Sequence, residues 1–391
     1  MRTLTVNANE SGQRLDRFLK KYLRAAPLGL VYRLIRKDIK VNGARAGIDS
    51  IIAEGDEVSL YLDDARIDEL ARLGADGKPR GGFSRRPKVQ FKVCFEDENV
   101  LIVSKPYGLL THGDGKEKKD TLVNQVIGYL LEKGEYNPRA ERMFTPSPVN
   151  RLDRNTTGLV AFGKNSKAVR DFSRMIASGD AVRKYYLTLA AGEIADELAL
   201  EGAILKDEDS NTVKVTGGGE ARPSEGRPSL TIVKPIEVFR VKGAGASAYG
   251  GEAMIGAGKG GGAKPVADAG TGRAAAAGAV SGGVKPAAGP SAYKGAYTLC
   301  EVLLVTGRPH QIRAHLAESG HPVVGDPKYG NPAVNRRFAR DYELPSQFLH
   351  ACRLEIAEGR GSLEYLTGTS TESPLPERLA DILEALRGRA R

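Results

Sequence analysis

An aspartate held between two arginines opens the chemistry of this chain. In SPVNRLDRNTTGLVAFG, Asp153 lies between Arg151 and Arg154, ahead of a Thr-Thr-Gly turn and the apolar run Leu159–Phe162. A carboxylate flanked by guanidiniums stays ionised near neutrality. Such a group can act as a nucleophile or a base, as in glycoside chemistry. A structural salt bridge at a turn produces the same spacing, so the motif alone leaves both readings open. A second candidate is Arg313 in GRPHQIRAHLAESG. Pro309 suits the first turn of a helix that Gly320 stops, and Arg313 then sits near the positive end, suited to a carboxylate or phosphate. His310, His315, His321, His350 and Cys352 raise the question of zinc, but their spacing fits no tight ligand pattern. We expect no metal.

Strands must position these groups. Alternation at Phe91, Val93 and Phe95 and the run Val100–Val103 predict two strands joined at Glu96–Asn99. AVRKYYLTLA predicts a strand with Val182, Lys184 and Tyr186 on one face and Arg183, Tyr185 and Leu187 on the other. Leu303–Val305 form a further strand leading into the Arg313 helix.

The positive charge is concentrated elsewhere. The 391 residues contain 58 Lys and Arg against 48 Asp and Glu, a net of +10. Between Arg14 and Arg45 stand ten basic and two acidic residues, a net of +8. Leu15, Phe18, Leu19, Tyr22 and Leu23 have the spacing of a buried helical stripe, with Arg14, Arg17, Lys21 and Arg24 largely off it. A second helix carries Leu30, Val31, Leu34 and Ile35, with Arg33, Arg36 and Lys37 around it. Asn42-Gly43 marks a tight hairpin, and Val58, Leu60 and Leu62 alternate in a closing strand. One-sided charge of this kind suits a polyanion, and nucleic acid in particular.

Residues 63–89 read as a linker. Residues 241–295 hold sixteen Gly and sixteen Ala, too little side chain to offset ordering entropy, so a disordered insertion is expected there. The cysteines Cys94, Cys300 and Cys352 are dispersed, no apolar run reaches membrane length, and the N-terminus lacks an apolar signal core. A cytoplasmic protein is the expectation.

Two resemblances sharpen the reading. Residues 12–62 resemble the alpha-L RNA-binding motif of a ribosomal small-subunit protein and several RNA-modifying enzymes. SKPYGLLTH (Ser104–His112), NRLDRNTTG, the KYY strand, GRPHQIRAHL with GHPVVGDPKYG, and FLHACRL (Phe348–Leu354) resemble, in order, the blocks of RluA-type RNA pseudouridine synthases. The resemblance implies an α+β protein: a small N-terminal RNA-binding domain, then a catalytic domain over 90–391 with a mixed, mainly antiparallel sheet and flanking helices. It implies isomerisation of uridines in structured RNA, without cofactor or metal. The implied nucleophile is Asp153, paired with Arg313 in a buried ion pair. Tyr186 is implied to stack on the uracil and assist removal of the carbon 5 proton, and Arg151 to help extrude the target uridine. Arg14, Arg17, Lys21, Arg24, Arg33, Arg36 and Lys37 are the expected RNA contacts. Many members carry His before RLD, where this chain has Asn150. Large-subunit ribosomal RNA is the expected substrate and a monomer the expected state. Transfer RNA, or a non-catalytic role in ribosome assembly, are the alternatives.

Overall fold

The computed structural model describes residues 1–71, 88–114, 117, 119–138, 141, 144–207, 212–216, 227–241, 293 and 295–390. Most of the predicted linker and nearly all of the Gly/Ala-rich insertion lie outside the described residues. The chain divides into two compact units: Met1–Leu187 with Val302–Gly307 and Leu349–Ala380, and Thr188–Glu301 with Arg308–Phe348 and Asp381–Arg391.

The first unit begins with β1 (Arg2–Thr5), β2 (Gln13–Arg14), α1 (Leu15–Tyr22), α2 (Leu28–Lys37), β3 (Ile39–Val41), β4 (Ile51–Ile52), β5 (Glu57–Leu60) and α3 (Asp64–Ala71). Leu15, Phe18, Leu19, Tyr22 and Leu23 are buried together with Val31, Leu34 and Ile35, as their helical spacing predicts. Asn42 and Gly43 both take positive φ, 50° and 78°, the geometry of the tight hairpin turn that Asn-Gly favours. The core reaches past 12–62 in both directions. Leu4 of β1 and Ile67 and Leu70 of α3 join the same cluster. Residues 64–71 are therefore a packed helix and not linker, because three of its side chains, Ile67, Leu70 and Ala71, are buried.

The same unit continues through β6 (Lys92–Glu96), β7 (Val100–Lys105), α4 (Leu122–Glu132), β8 (Ser147–Pro148), β9 (Thr157–Gly163), α5 (Ser166–Ser178) and the start of β10 (Val182–Ala191). After the second unit's elements, β15 (Leu349–Ile356), a 3-10 turn at Gly361–Leu366 and β16 (Thr369–Glu372) return to it. Strand β7 pairs antiparallel with β6 and β9, β15 runs parallel to β9, and β10 lies on the other side of β15. Val100, Ile102, Leu159, Ala161, Leu354 and Ile356 form one face of this sheet, covered by Ala168, Phe172 and Met175 of α5. The alternation expected at Val93 fails. A bulge between Val93 and Phe95 shifts the register, leaving Val93 exposed and turning Cys94 and Phe95 toward the core.

Gly158 fixes the approach of β9 to β15. Its φ is +105°, and a Cβ there would lie 2.1 Å from the carbonyl oxygen of Ala351. Only glycine can occupy this position without moving the strand that follows Asp153.

The second unit holds the end of β10, β11 (Leu198–Asp207), β12 (Thr212–Thr216), β13 (Arg227–Arg240), the start of β14 (Ala296–Leu304), α6 (Gln311–Glu318), α7 (Pro332–Tyr342) and most of α8 (Glu377–Ala390). Strand β11 pairs antiparallel with β12 and β13, and α6 packs against all three. The protein is α+β, with mainly antiparallel pairing. Among the described residues, no helix is long and apolar enough to cross a membrane.

Candidate active site

Asp153 sits on the turn between β8 and β9. The Thr156 amide donates to the Asp153 carbonyl at 3.1 Å, closing the Arg-Asn-Thr turn. Upstream, the Asn150 side chain bridges to β9, accepting from the Ala161 amide at 2.8 Å and donating to the Leu159 carbonyl at 3.2 Å. Asn150 thus holds the loop's entry to the strand. Buried Thr111 holds its centre, donating its hydroxyl to the Leu152 carbonyl at 2.9 Å.

Lys105 holds the loop from the other side. This lysine, at the end of β7, is fully buried, and its ammonium donates to the carbonyls of Pro106 (3.1 Å), Leu109 (2.8 Å) and Arg154 (2.9 Å). Burial pulls its pKa down to about 7, while the negative charge of Asp153 pushes it back up. Lys105 was missed as a site residue. Its signal was a lysine closing an apolar strand and followed by proline, which fixes that end of the strand but also reads as a simple strand terminus.

Tyr186 is 5% exposed on β10. Burial raises its phenol pKa well above the ordinary 10, and the charge of Asp153 raises it further. The strand alternation is as predicted. Lys184 and Tyr186 are buried, while Tyr185 is partly exposed with the Arg353 guanidinium stacked 4.0 Å from its ring centre. Asp153, Lys105 and Tyr186 are therefore brought into one electrostatic neighbourhood. Asp153 itself is half-buried, less enclosed than a fully buried carboxylate, because it stands on a turn with exposed Arg151 and Arg154 on either side. Arg154 pairs with Asp114 at 3.3 Å. Arg151 is exposed, and its charge adds to burial in lowering the pKa of His112.

In the second unit, Arg313 is buried on α6, and the helix begins one residue after Pro309's neighbour His310, which takes a positive φ of 52°. Proline thus precedes the helix instead of starting it. Arg313 makes a two-pronged ion pair with Asp326, Nε to Oδ2 at 2.6 Å and Nη2 to Oδ1 at 2.8 Å. Its guanidinium also lies 5.2 Å from the centre of the Tyr329 ring. Asp326 is the partner that sequence reading missed, although GDPKYG follows HQIR by a short span. It is fully buried and also accepts from the amides of Lys328 and Tyr329. Breaking such a pair leaves a buried charge unmatched. Arg313→Ala is expected to lower unfolding free energy by about 3–5 kcal/mol in urea titrations, and Asp326→Ala by a similar amount.

The histidines have ordinary partners. His350 lies between the Thr157 hydroxyl (2.8 Å) and the Ser373 carbonyl (3.0 Å). His315 lies between the hydroxyls of Thr231 and Ser229, each at 3.0 Å. Burial lowers the His315 pKa to about 4. The unfolded chain takes this proton near pH 6.5, so it binds more protons than the folded chain between pH 6.5 and 4. The contribution is complete above pH 6.5 and is lost as the pH falls. Unfolding free energy should drop by about 2 kcal/mol from pH 7 to 5, and His315→Gln should flatten that drop.

The family's sequence model described as RNA pseudouridylate synthase matches residues 99–318, more than half of the chain. The chain belongs to the RNA pseudouridylate synthase family. As a pseudouridine synthase it is an isomerase, and the matched region includes Asp153, Tyr186 and Arg313. Similar proteins include Ribosomal large subunit pseudouridine synthase C of Vibrio vulnificus (strain CMCP6), 25% identical over 98% of this chain and 95% of that protein. Ribosomal large subunit pseudouridine synthase D of Nitrosomonas europaea is 26% identical over 98% of this chain and 87% of that one. A solved chain, Human RNA Pseudouridylate Synthase Domain Containing 4, covers 75% of this synthase at 16% identity and a TM-score of 0.46.

Proposed function

We propose that this synthase converts specific uridines of large-subunit ribosomal RNA to pseudouridine, with Asp153 as the nucleophile. The observation that supports the chemistry best is the clamped turn: Asn150, Thr111 and Lys105 hold the backbone around Asp153, while the residue itself is only half-buried. Preorganisation of this kind serves a reacting group that must meet a bond in fixed geometry. The substrate class rests on the relatives named for large-subunit ribosomal RNA, which align along nearly the whole chain.

The reaction breaks the bond between ribose carbon 1′ and uracil nitrogen 1, and forms one from carbon 1′ to carbon 5. Carbon 5 loses a proton and nitrogen 1 gains one, so atoms balance with no redox change and no cofactor is required. Asp153 attacks and is released again. Arg313 is held in place by its own ion pair to Asp326. Tyr186 supplies a ring for the uracil face. Its raised phenol pKa favours stacking and hydrogen-bond donation over service as a phenolate base. Arg151, exposed beside Asp153, fills the gap left when the uridine leaves its stack, since a stacked base hides its glycosidic bond.

The basic N-terminal module would grip the RNA. Arg33, Arg36 and Lys37 are exposed together on α2, and Arg17, Lys21 and Arg24 are exposed along and after α1. Arg14 is half-buried and bonded to Asp16 at 3.0 and 3.1 Å, which makes it the weakest of the seven for this purpose. Pseudouridine mapping of ribosomal and transfer RNA from cells with the gene deleted tests the substrate. Sites lost from the large-subunit RNA support the reading, and losses confined to transfer RNA overturn it.

A further inference from the structure

Within the first unit, a cleft of about 540 Å³ opens between α1 and α5. At a water's share of about 30 Å³, that space greatly exceeds what one bound ion needs. Arg17, Lys21 and Arg24 line it from the N-terminal module, and Arg170 lines it from α5. Among the described residues, no acidic side chain lines it. Arg170 drew no notice from the sequence, because it stands alone in SKAVRDF and acquires basic neighbours only through folding.

The two walls are tied together. Arg170 Nη1 donates to the carbonyls of Ser11 (3.1 Å) and Gly12 (3.0 Å). The Ser166 amide donates to Asn9 Oδ1 at 3.0 Å, and Asn9 Nδ2 donates to Glu141 at 2.7 Å. Gly12 has φ +67°, a left-handed conformation that favours glycine, and a Cβ there would lie 3.1 Å from Arg170 Nη1. Lys21 bonds within its own module, to Gln13 Oε1 at 2.9 Å. Its pKa is lowered by desolvation beside the cleft wall, then by the like charges of Arg170 and Arg17, against one acidic neighbour, Glu10. Holding four cations around one space costs electrostatic energy that an anion would relieve.

We propose that this cleft is a phosphodiester subsite, in which the backbone of the substrate RNA is held jointly by α1 of the N-terminal module and Arg170 of α5. The proposal rests on the reading that the synthase acts on RNA, and it adds a point where the RNA path is fixed. An RNA strand presents repeated phosphates that match cations spaced along one helix face. Arginine pairs with phosphate in a two-pronged fork, and lysine serves as a point charge. With the walls tied by direct hydrogen bonds, the grip and the catalytic half bind one continuous strand in a set register. The subsite therefore selects which uridine can reach the turn at Asp153.

The test uses the full chain and large-subunit ribosomal RNA transcribed in vitro, with affinity measured across a range of salt. Each lost phosphate contact should reduce the slope of log affinity against log salt by about 0.7–0.9. Lys21→Gln and Arg170→Gln should each produce that reduction. Arg170→Lys should keep most of the slope, and Arg387→Gln, whose residue pairs with Glu237, should leave it unchanged. If Arg170→Gln loosens the module by losing its bonds to Ser11 and Gly12, Lys21→Gln decides. Cross-linking of a 4-thiouridine transcript should label peptides from both α1 and α5. Unchanged slopes for Lys21→Gln and Arg170→Gln, or cross-links to α1 without α5, overturn the subsite. Should wild type still form pseudouridine in that transcript, only the subsite falls and the functional reading stands. A wild-type chain that binds the transcript with the expected slopes but modifies no uridine in it supports the subsite and sinks the substrate assignment.

Discussion

Asp153→Asn should abolish pseudouridine formation while leaving the protein folded and bound to RNA. The exchange is isosteric and removes the negative charge and nucleophilic oxygen together. Loss of a nucleophile in enzymes that rely on one costs about 10⁴-fold or more in rate. RNA affinity should change little, because the basic side chains assigned to binding are untouched. Stability should change by about 1 kcal/mol or less, since Asp153 is half-buried and its turn is held by Asn150, Thr111 and Lys105 through backbone groups. Single-turnover assays, with binding and urea unfolding on the same preparations, separate these effects. A variant retaining a tenth of the wild-type rate would place the chemistry elsewhere.

Lys105→Met should damage stability and catalysis together. Its ammonium satisfies three backbone carbonyls in a fully buried position, and Met fills the space without donating to any of them. Each buried carbonyl left without its donor typically costs about 1–3 kcal/mol. One of those carbonyls belongs to Arg154, immediately after Asp153, so the turn should also lose its register and kcat should fall. The pH dependence identifies the group. Folding lowers the Lys105 pKa from 10.5 to about 7. Between those values the unfolded chain holds a proton that the folded chain lacks, so this lysine makes stability rise with pH across that window. Met has no such proton. The wild type's advantage over Lys105→Met should widen from pH 7 to pH 9, by at most about 1.4 kcal/mol per unit. An advantage that stayed constant would show that Lys105 does not titrate there.

How much of this was legible in the sequence depends on the range of the interactions. The α1 stripe, the Asn42-Gly43 turn and the alternation that buries Tyr186 were readable, because each follows from local spacing and burial on one face. The bulge at Cys94 was not readable, because it depends on how β6 pairs with β7. Helix α3 was hidden by its place beside a Gly/Pro-rich stretch, and only the burial of Ile67 and Leu70 in the N-terminal core reveals it. Asp153 and Arg151 in the first unit, and Arg313 in the second, drew attention by residue type and motif. Lys105 and Asp326 did not, since each acts through partners that folding supplies: the Arg154 carbonyl for one and Arg313 for the other. Arg170 is the same case at greater sequence distance, 158 positions from the glycine it touches.

The most direct test of the central claim is complementation. Cells lacking this gene would receive a plasmid copy encoding either the wild type or Asp153→Asn, with equal protein levels confirmed by immunoblot, and pseudouridines in large-subunit ribosomal RNA would then be mapped. Particular sites should disappear on deletion, return with the wild-type copy, and stay absent with Asp153→Asn. Restoration of those sites by the Asp153→Asn copy, or no site lost on deletion, would contradict it.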